Sequence, residues 1–217
     1  MEILIAALLG ALMGWLNYRA AGFLLNNSTF TKFSRWTLVV IIISTITFIC
    51  LSLRFGFSIQ FACFAVYTAV FLNVLITDIA SRAIFPIVLV PATILALVAS
   101  SLLPMGFMRS LLGGILAFVI VFGIYAFAGL YSRWRKLKIQ GGAFGRGDVY
   151  LATFMGVVVG FPAAWLAIVY TVLLSGVFIL FFLAYQYART QRILLTAIIP
   201  YGPFFCIAGW AVMVFMI

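Results

Sequence analysis

Residues 149–188, VYLATFMGVVVGFPAAWLAIVYTVLLSGVFILFFLAYQYA, run without one charged side chain. As a single α-helix rising 1.5 Å per residue, the stretch would be about 60 Å long, roughly twice the hydrocarbon thickness of a bilayer. It must turn, and Gly160-Phe161-Pro162 is the only place in it where glycine and proline fall together. The run therefore divides into a short span from Asp148 to Phe161 and a longer one from Ala163 to Tyr187. The same ruler, about 20 apolar residues per crossing, gives further spans at residues 3–25, 36–53, 57–77, 84–103, 111–130 and 194–217. The composition agrees: 217 residues are 67% hydrophobic and 7% charged, with a mean hydropathy of +1.33, whereas ordinary soluble domains are about a quarter charged. The expected fold is all-α, a polytopic transmembrane bundle of about eight spans forming one integral membrane domain over residues 1–217.

Orientation follows from the positive charges. With the amino terminus outside, alternation of eight spans puts Arg19, Lys32, Arg35, Arg82, Arg133, Arg135, Lys136, Lys138, Arg146, Arg189 and Arg192 on one face and leaves Arg54 and Arg109 on the other. Lys and Arg accumulate on the cytoplasmic side, so both termini are expected outside, on the periplasmic face if the membrane is a bacterial inner membrane. Without the break at Pro162, Arg189 and Arg192 would be exported and the bias would weaken. No cleavable signal peptide is expected, because the first positive charge, Arg19, follows the first apolar stretch instead of preceding it. The net charge of +10 reads as topology signals at an anionic lipid surface. Nucleic acid is not an expected partner, since the basic residues flank helices and the aromatic residues sit inside apolar spans.

The polar inventory excludes whole classes of chemistry. The chain has no His and three carboxylate side chains, Glu2, Asp78 and Asp148. Ser-His-Asp and Cys-His nucleophilic sites, two-His metal clusters and imidazole proton shuttles are ruled out. Cys50, Cys63 and Cys206 stand singly in apolar runs; this supports neither a zinc ribbon nor a disulfide framework, although Cys50 and Cys63 could both lie toward the outer side of adjacent helices. No metal or cofactor is expected.

On this topology Asp78 ends the third span and Asp148 begins the sixth, at similar depth on the same side. Ionisable groups at such positions are costly unless paired, hydrated or used. Two carboxylates alone suffice for aspartyl hydrolysis: held close, they share one proton, so that one activates water and the other acts as acid. The glycines of GGAFGRGD, residues 141–148, let the chain turn sharply and let a substrate backbone approach. Asp148, opening a helix, suits the ionised role of base. On spacing alone an ordinary account stands beside this one, with Asp148 as an N-cap and Asp78 paired to Arg82 one turn on.

At these residues the sequence resembles the type IV prepilin peptidases, intramembrane aspartyl proteases of the Gly-x-Gly-Asp type. Gly145, Gly147 and Asp148 in GGAFGRGDVYLATFMGVVVG match that signature, and TDIASRAIFP is similar to the family's first catalytic Asp followed by Ile-Pro. IIPYGPFFCIAGW is similar to its Pro-Phe-Gly-Pro segment, and GALMGWLNYR to its opening Gly-x-x-Leu-Asn…Arg stretch. The order is the family's, and the four pieces span nearly the whole chain. The resemblance implies Asp78 and Asp148 as the catalytic pair, Gly145 and Gly147 as loop-shaping residues, and a prepilin or pseudopilin as substrate, cut at its short basic leader on the cytoplasmic side of the bacterial inner membrane. Family substrates carry an acidic residue soon after the cut; Arg82 and Arg146 are candidates to meet it and read equally well as topology charges.

The departures are informative. Seven residues separate Asp78 from Pro86, one more than usual, and Ile87 follows it. Tyr150 stands where Lys is common, and Pro200, Gly202 and Pro203 are expected to shape a helix break and not to react. Bifunctional relatives carry a zinc-binding insert with paired cysteines between the first two spans and methylate the new amino terminus; here only residues 26–35 fill that position. Cleavage without methyl transfer is therefore expected. Presenilin-type proteases are disfavoured by Thr77-Asp78 and the Pro-Tyr-Gly-Pro segment. A non-enzymatic transporter or assembly subunit, with the Asp pair binding a cation, is the alternative, and the chain lacks the internal repeat that transporters often show.

Overall fold

Gly160, with φ +68°, takes the backbone out of helix where the uncharged run was expected to turn, and Pro162 lies two residues on. A computed structural model describes residues 1–26, 34–134, 145–190 and 200–216. In it eight helices follow one another: α1 (Glu2–Leu24), α2 (Arg35–Phe55), α3 (Ile59–Ser81), α4 (Pro86–Ala99), α5 (Gly106–Trp134), α6 (Arg146–Val159), α7 (Ala163–Thr190) and α8 (Gly202–Phe215). Among the described residues there is no strand. The chain is an all-α, membrane-type helix bundle. Lys32, Arg135, Lys136, Lys138 and Arg192, the side chain of Arg133, and residues 194–199 of the expected last span lie outside the described residues.

Five of these helices, α1, α2, α3, α5 and α7, are long and apolar enough to cross a membrane. The other three, α4, α6 and α8, have 14 residues each, about 21 Å of helix against a hydrocarbon core of about 30 Å. Helix ends follow local chemistry. Ser34 opens α2 with its N–H donating to Thr37 Oγ1 at 3.1 Å, and the Ser58 hydroxyl accepts from the Phe61 N–H at the start of α3. Pro86 takes the first position of α4, where its missing N–H costs nothing. The third helix runs four residues past the expected limit at residue 77, so Asp78, expected at the end of the span, lies in its last turn.

The short sixth helix is the centre of the bundle. Leu151, Ala152, Phe154 and Met155 are wholly buried, and α6 packs against α4, α5, α7 and α8. Edge-on ring contacts tie it to α3: Phe154 meets Phe71 with centroids 5.0 Å apart and Tyr67 at 6.2 Å. By contrast, only 22% of the apolar stretch of α5, and the same share of α7, is buried. Their exposed Phe127, Leu180 and Phe181 face outward, as lipid-facing side chains do without penalty.

Close helix approach comes from glycine. A Cβ on Gly113 of α5 or on Gly156 of α6 would fall on the other's carbonyl oxygen, so the two backbones touch where no side chain fits. Beside this contact Ser110 Oγ donates to the Val157 carbonyl at 2.6 Å, and the Phe161 N–H donates to the Arg109 carbonyl at 2.8 Å. The first turns of α5 thus hold the end of α6 and the turn after it. On the other side, Gly10 and Gly14 of α1 press on α2 in the same way; a Cβ on Gly10 would lie 2.8 Å from Thr45 Cα. Cys50 and Cys63 are free and half-buried, and Cys206 is free and buried.

Gly156→Ala is expected to lower the melting temperature of the detergent-purified protein, by the equivalent of about 1–3 kcal/mol of overpacking. Gly123→Ala, in the same bundle but with nothing within 4 Å of its new Cβ, is expected to leave it unchanged. Equal melting of the two variants would show that the α5–α6 contact is not tight.

Candidate active site

Three helix ends converge on the two interior acids. Asp78 sits in the last turn of α3 and is 4% exposed; Asp148 sits in the first turn of α6 and is 8% exposed. They lie within electrostatic reach of each other, and the buried Cys206 of α8 lies within reach of both. Glu2 lies at the start of α1, near Ser52, Leu53 and Gly56.

Asp148 does not open its helix as the sequence suggested. The helix begins two residues earlier, at Arg146, with Gly145 as its cap, and Asp148 occupies the third position, where its Oδ2 accepts the Gly145 N–H at 3.0 Å. This is the back-reaching half of a capping box; the forward half is missing because Gly145 has no side chain. Gly147 has a different task. A Cβ there would stand 2.6 Å from Ile84 Cβ, so the start of α6 lies directly on the loop that follows Asp78. The glycine spacing of the motif is explained by contact: Gly145 serves the carboxylate and Gly147 admits the neighbouring loop.

That loop begins at Arg82, whose backbone is left-handed at φ 55°, ψ 35° and whose N–H donates to the Asp78 carbonyl at 2.8 Å. A non-glycine residue in this region is uncommon; here it turns the chain back so that Ile84 reaches Gly147. The Asp78–Arg82 pairing of the ordinary account is not made at the carboxylate: Asp78 Oδ2 is buried without a hydrogen-bond partner, and Arg82 is exposed. Arg146 is exposed too, and its Nε donates to the Tyr125 hydroxyl at 3.2 Å, tying the start of α6 to α5.

The third contributor escaped the sequence reading. Gly202, the first residue of α8, was expected only to shape a helix break, yet a Cβ on it would lie 2.5 Å from Asp78 Oδ2. Asp78 Oδ2 meets no donor at hydrogen-bonding geometry. Nothing in the spacing of residues 78 and 202 announces this contact; only the glycine between two prolines marks the spot.

Along α3 and α8, moving away from Asp78, runs an apolar cavity of about 110 Å³ whose lining includes Leu72, Leu75, Cys206, Trp210 and Ile43. Leu75 is one helical turn from Asp78. Trp210 is held at the far end by its indole N–H, which donates to Thr68 Oγ1 at 3.2 Å. Among the described residues no three His, Cys, Asp or Glu side chains are grouped as metal ligands would be.

A bundle of apolar helices that buries two acids on neighbouring helix ends defines a membrane-embedded protein with a polar interior site. The sequence profile of the type IV leader peptidase family matches residues 65–184, more than half of the chain, and the protein belongs to that family. It is a peptidase, with a prepilin-type substrate implied by the family. The match contains Asp78 and Asp148 and stops short of α8. No curated protein and no solved structure matches the chain.

Gly147→Ala is expected to destabilise the protein by driving its Cβ into Ile84. Ile84→Gly in the same chain should recover part of the loss, giving a favourable coupling between the two changes in a thermal double-mutant cycle. Strict additivity of the two losses would contradict the contact.

Proposed function

We propose that the chain is an aspartic endopeptidase in which Asp78 and Asp148 form the catalytic pair, acting as one integral membrane domain over residues 1–217. The observation that carries this reading is the convergence of the only two acids of the chain's interior, 70 positions apart in sequence, at two buried helix ends within the segment that matches the leader peptidase family.

Asp148, with a backbone N–H on its Oδ2 and a place in the first turn of a helix, suits the ionised partner. Asp78, with an unpartnered Oδ2, suits the protonated one. In this assignment Asp148 takes a proton from water as the water oxygen attacks the scissile carbonyl carbon, and Asp78 gives its proton to the carbonyl oxygen. Collapse of the resulting diol breaks the C–N bond: Asp148 passes its proton to the leaving nitrogen while Asp78 recovers one from a diol hydroxyl. The pair ends as it began, and one water is consumed.

The substrate is a prepilin or pseudopilin whose short basic leader is removed on the cytoplasmic side of the inner membrane. The eleven-to-two division of positive charges supports that side. Arg82 and Arg146, four residues after one Asp and two before the other, are the candidates to meet an acidic residue beyond the cut; Arg82 has the freer side chain, since Arg146 is engaged by Tyr125. Cleavage proceeds without N-methylation, a reading supported by the short connection between α1 and α2 and by cysteines that sit singly inside helices.

Co-expression of a prepilin with the wild type, Asp78→Asn or Asp148→Asn, read by gel shift of the leader, tests the assignment. Each Asn variant is expected to lose at least about 100-fold in processing rate. Processing at the wild-type rate by either would remove that residue from the chemistry, and methylation of mature pilin by the purified protein would overturn the single-activity reading.

A further inference from the structure

Each carboxylate of the candidate pair rests on a glycine at the start of a helix. At α6 the glycine is Gly145: its N–H donates to Asp148 Oδ2 at 3.0 Å, and a Cβ on it would stand 3.3 Å from the same oxygen. At α8 the glycine is Gly202, and the approach is tighter, with Oδ2 and Cγ of Asp78 at 2.5 and 2.9 Å from where its Cβ would be. The Asp78 carboxylate thus occupies the space in which any other residue at position 202 would begin its side chain.

The donors of the first turn of α8 sharpen the point. The Phe204 and Phe205 N–H groups donate to the Tyr201 carbonyl at 3.1 and 3.4 Å, and Pro203 has no N–H to offer. The Gly202 N–H, at the first position of α8, has no acceptor within the helix. Asp78 Oδ2 is buried without a hydrogen-bond partner, on a residue 4% exposed, and Arg82 is exposed.

We propose that Gly202 is the positioning residue of Asp78: by lacking a side chain, it leaves the space that this carboxylate occupies and so sets its orientation toward Asp148, as Gly145 does for its partner. The Pro-Tyr-Gly-Pro segment at residues 200–203 is then the counterpart, for the first acid, of the Gly-x-Gly segment that precedes the second. Gly202 lies outside residues 65–184, the part of the chain that matches the family profile. The inference rests on the proposed function, since it gives Gly202 a role only through Asp78.

The experiment uses the full chain, purified in detergent, with a prepilin substrate, and measures kcat, KM and melting temperature. Gly202→Ala is expected to lower kcat about 100-fold, the cost of an ångström-scale misplacement of a reacting group, with KM within about twofold of the wild type. Gly209→Ala serves as the structural control. It lies on the same helix and its Cβ would meet Met155 Cγ at 2.7 Å, so it should melt earlier while keeping its kcat per folded molecule. Should Gly202→Ala lose fold as well as activity, the decisive measurement is its melting in an Asp78→Ala background, where the carboxylate no longer occupies the space. The loss caused by Gly202→Ala should disappear there; an equal loss in both backgrounds overturns the proposal. A wild-type kcat for Gly202→Ala, beside an inactive Asp78→Asn, overturns it while leaving the catalytic pair standing. An active Asp78→Asn removes the reading on which it rests.

Discussion

The contact between Gly113 and Gly156 sets how deeply α6 can sit, and the candidate site depends on that depth. Two backbones meet there with no side chain between them, and the Ser110 hydroxyl adds a hydrogen bond to the Val157 carbonyl. Dispersion and interhelical hydrogen bonds, not the hydrophobic effect, drive helix association in lipid, so contacts of this closeness carry unusual weight. With the C-terminal half of α6 clamped by α5, its N-terminal turn, which carries Asp148, is fixed against the loop after Asp78 through Gly147 and Ile84.

The surroundings then decide the chemistry available. Asp78 and Asp148 are buried, and beside them in sequence Arg82 and Arg146 stand exposed. Backbone N–H groups at helix starts are donors that such a fold can supply instead, as Gly145 does for Asp148. They are well suited to the task, because they are rigid, carry no counter-charge and need no side-chain ordering.

Much of this was legible in the sequence. The uncharged run from residue 149 to 188 had to break, and the break falls at Gly160–Pro162; the eight helical segments come in the expected order. The two acids were legible as a pair because so few competitors exist. Boundaries were less so: Asp78 was placed at the very end of its span and Asp148 at the tip of another, since apolar length alone does not report a helix that continues through polar residues, as α3 does through Thr77, Asp78 and Ser81. The shortness of α4, α6 and α8 was only half visible, because a buried helix and a spanning one share the same apolar composition. Gly202 was invisible as a partner of Asp78. A glycine between prolines signals a turn, and what lies against the turn is decided by the packing of helices distant in the chain.

The shortness of α6 bears on how the chain reaches its final arrangement. A segment of 14 residues falls below the length that partitions stably across a bilayer unaided. Its place in the membrane is therefore a property of tertiary structure, arriving with α7 across the turn at Gly160 and held by the bond from the Phe161 N–H to the Arg109 carbonyl. The burial of Asp148 has the same origin: it belongs to the packing of α6 on its neighbours and not to α6 alone.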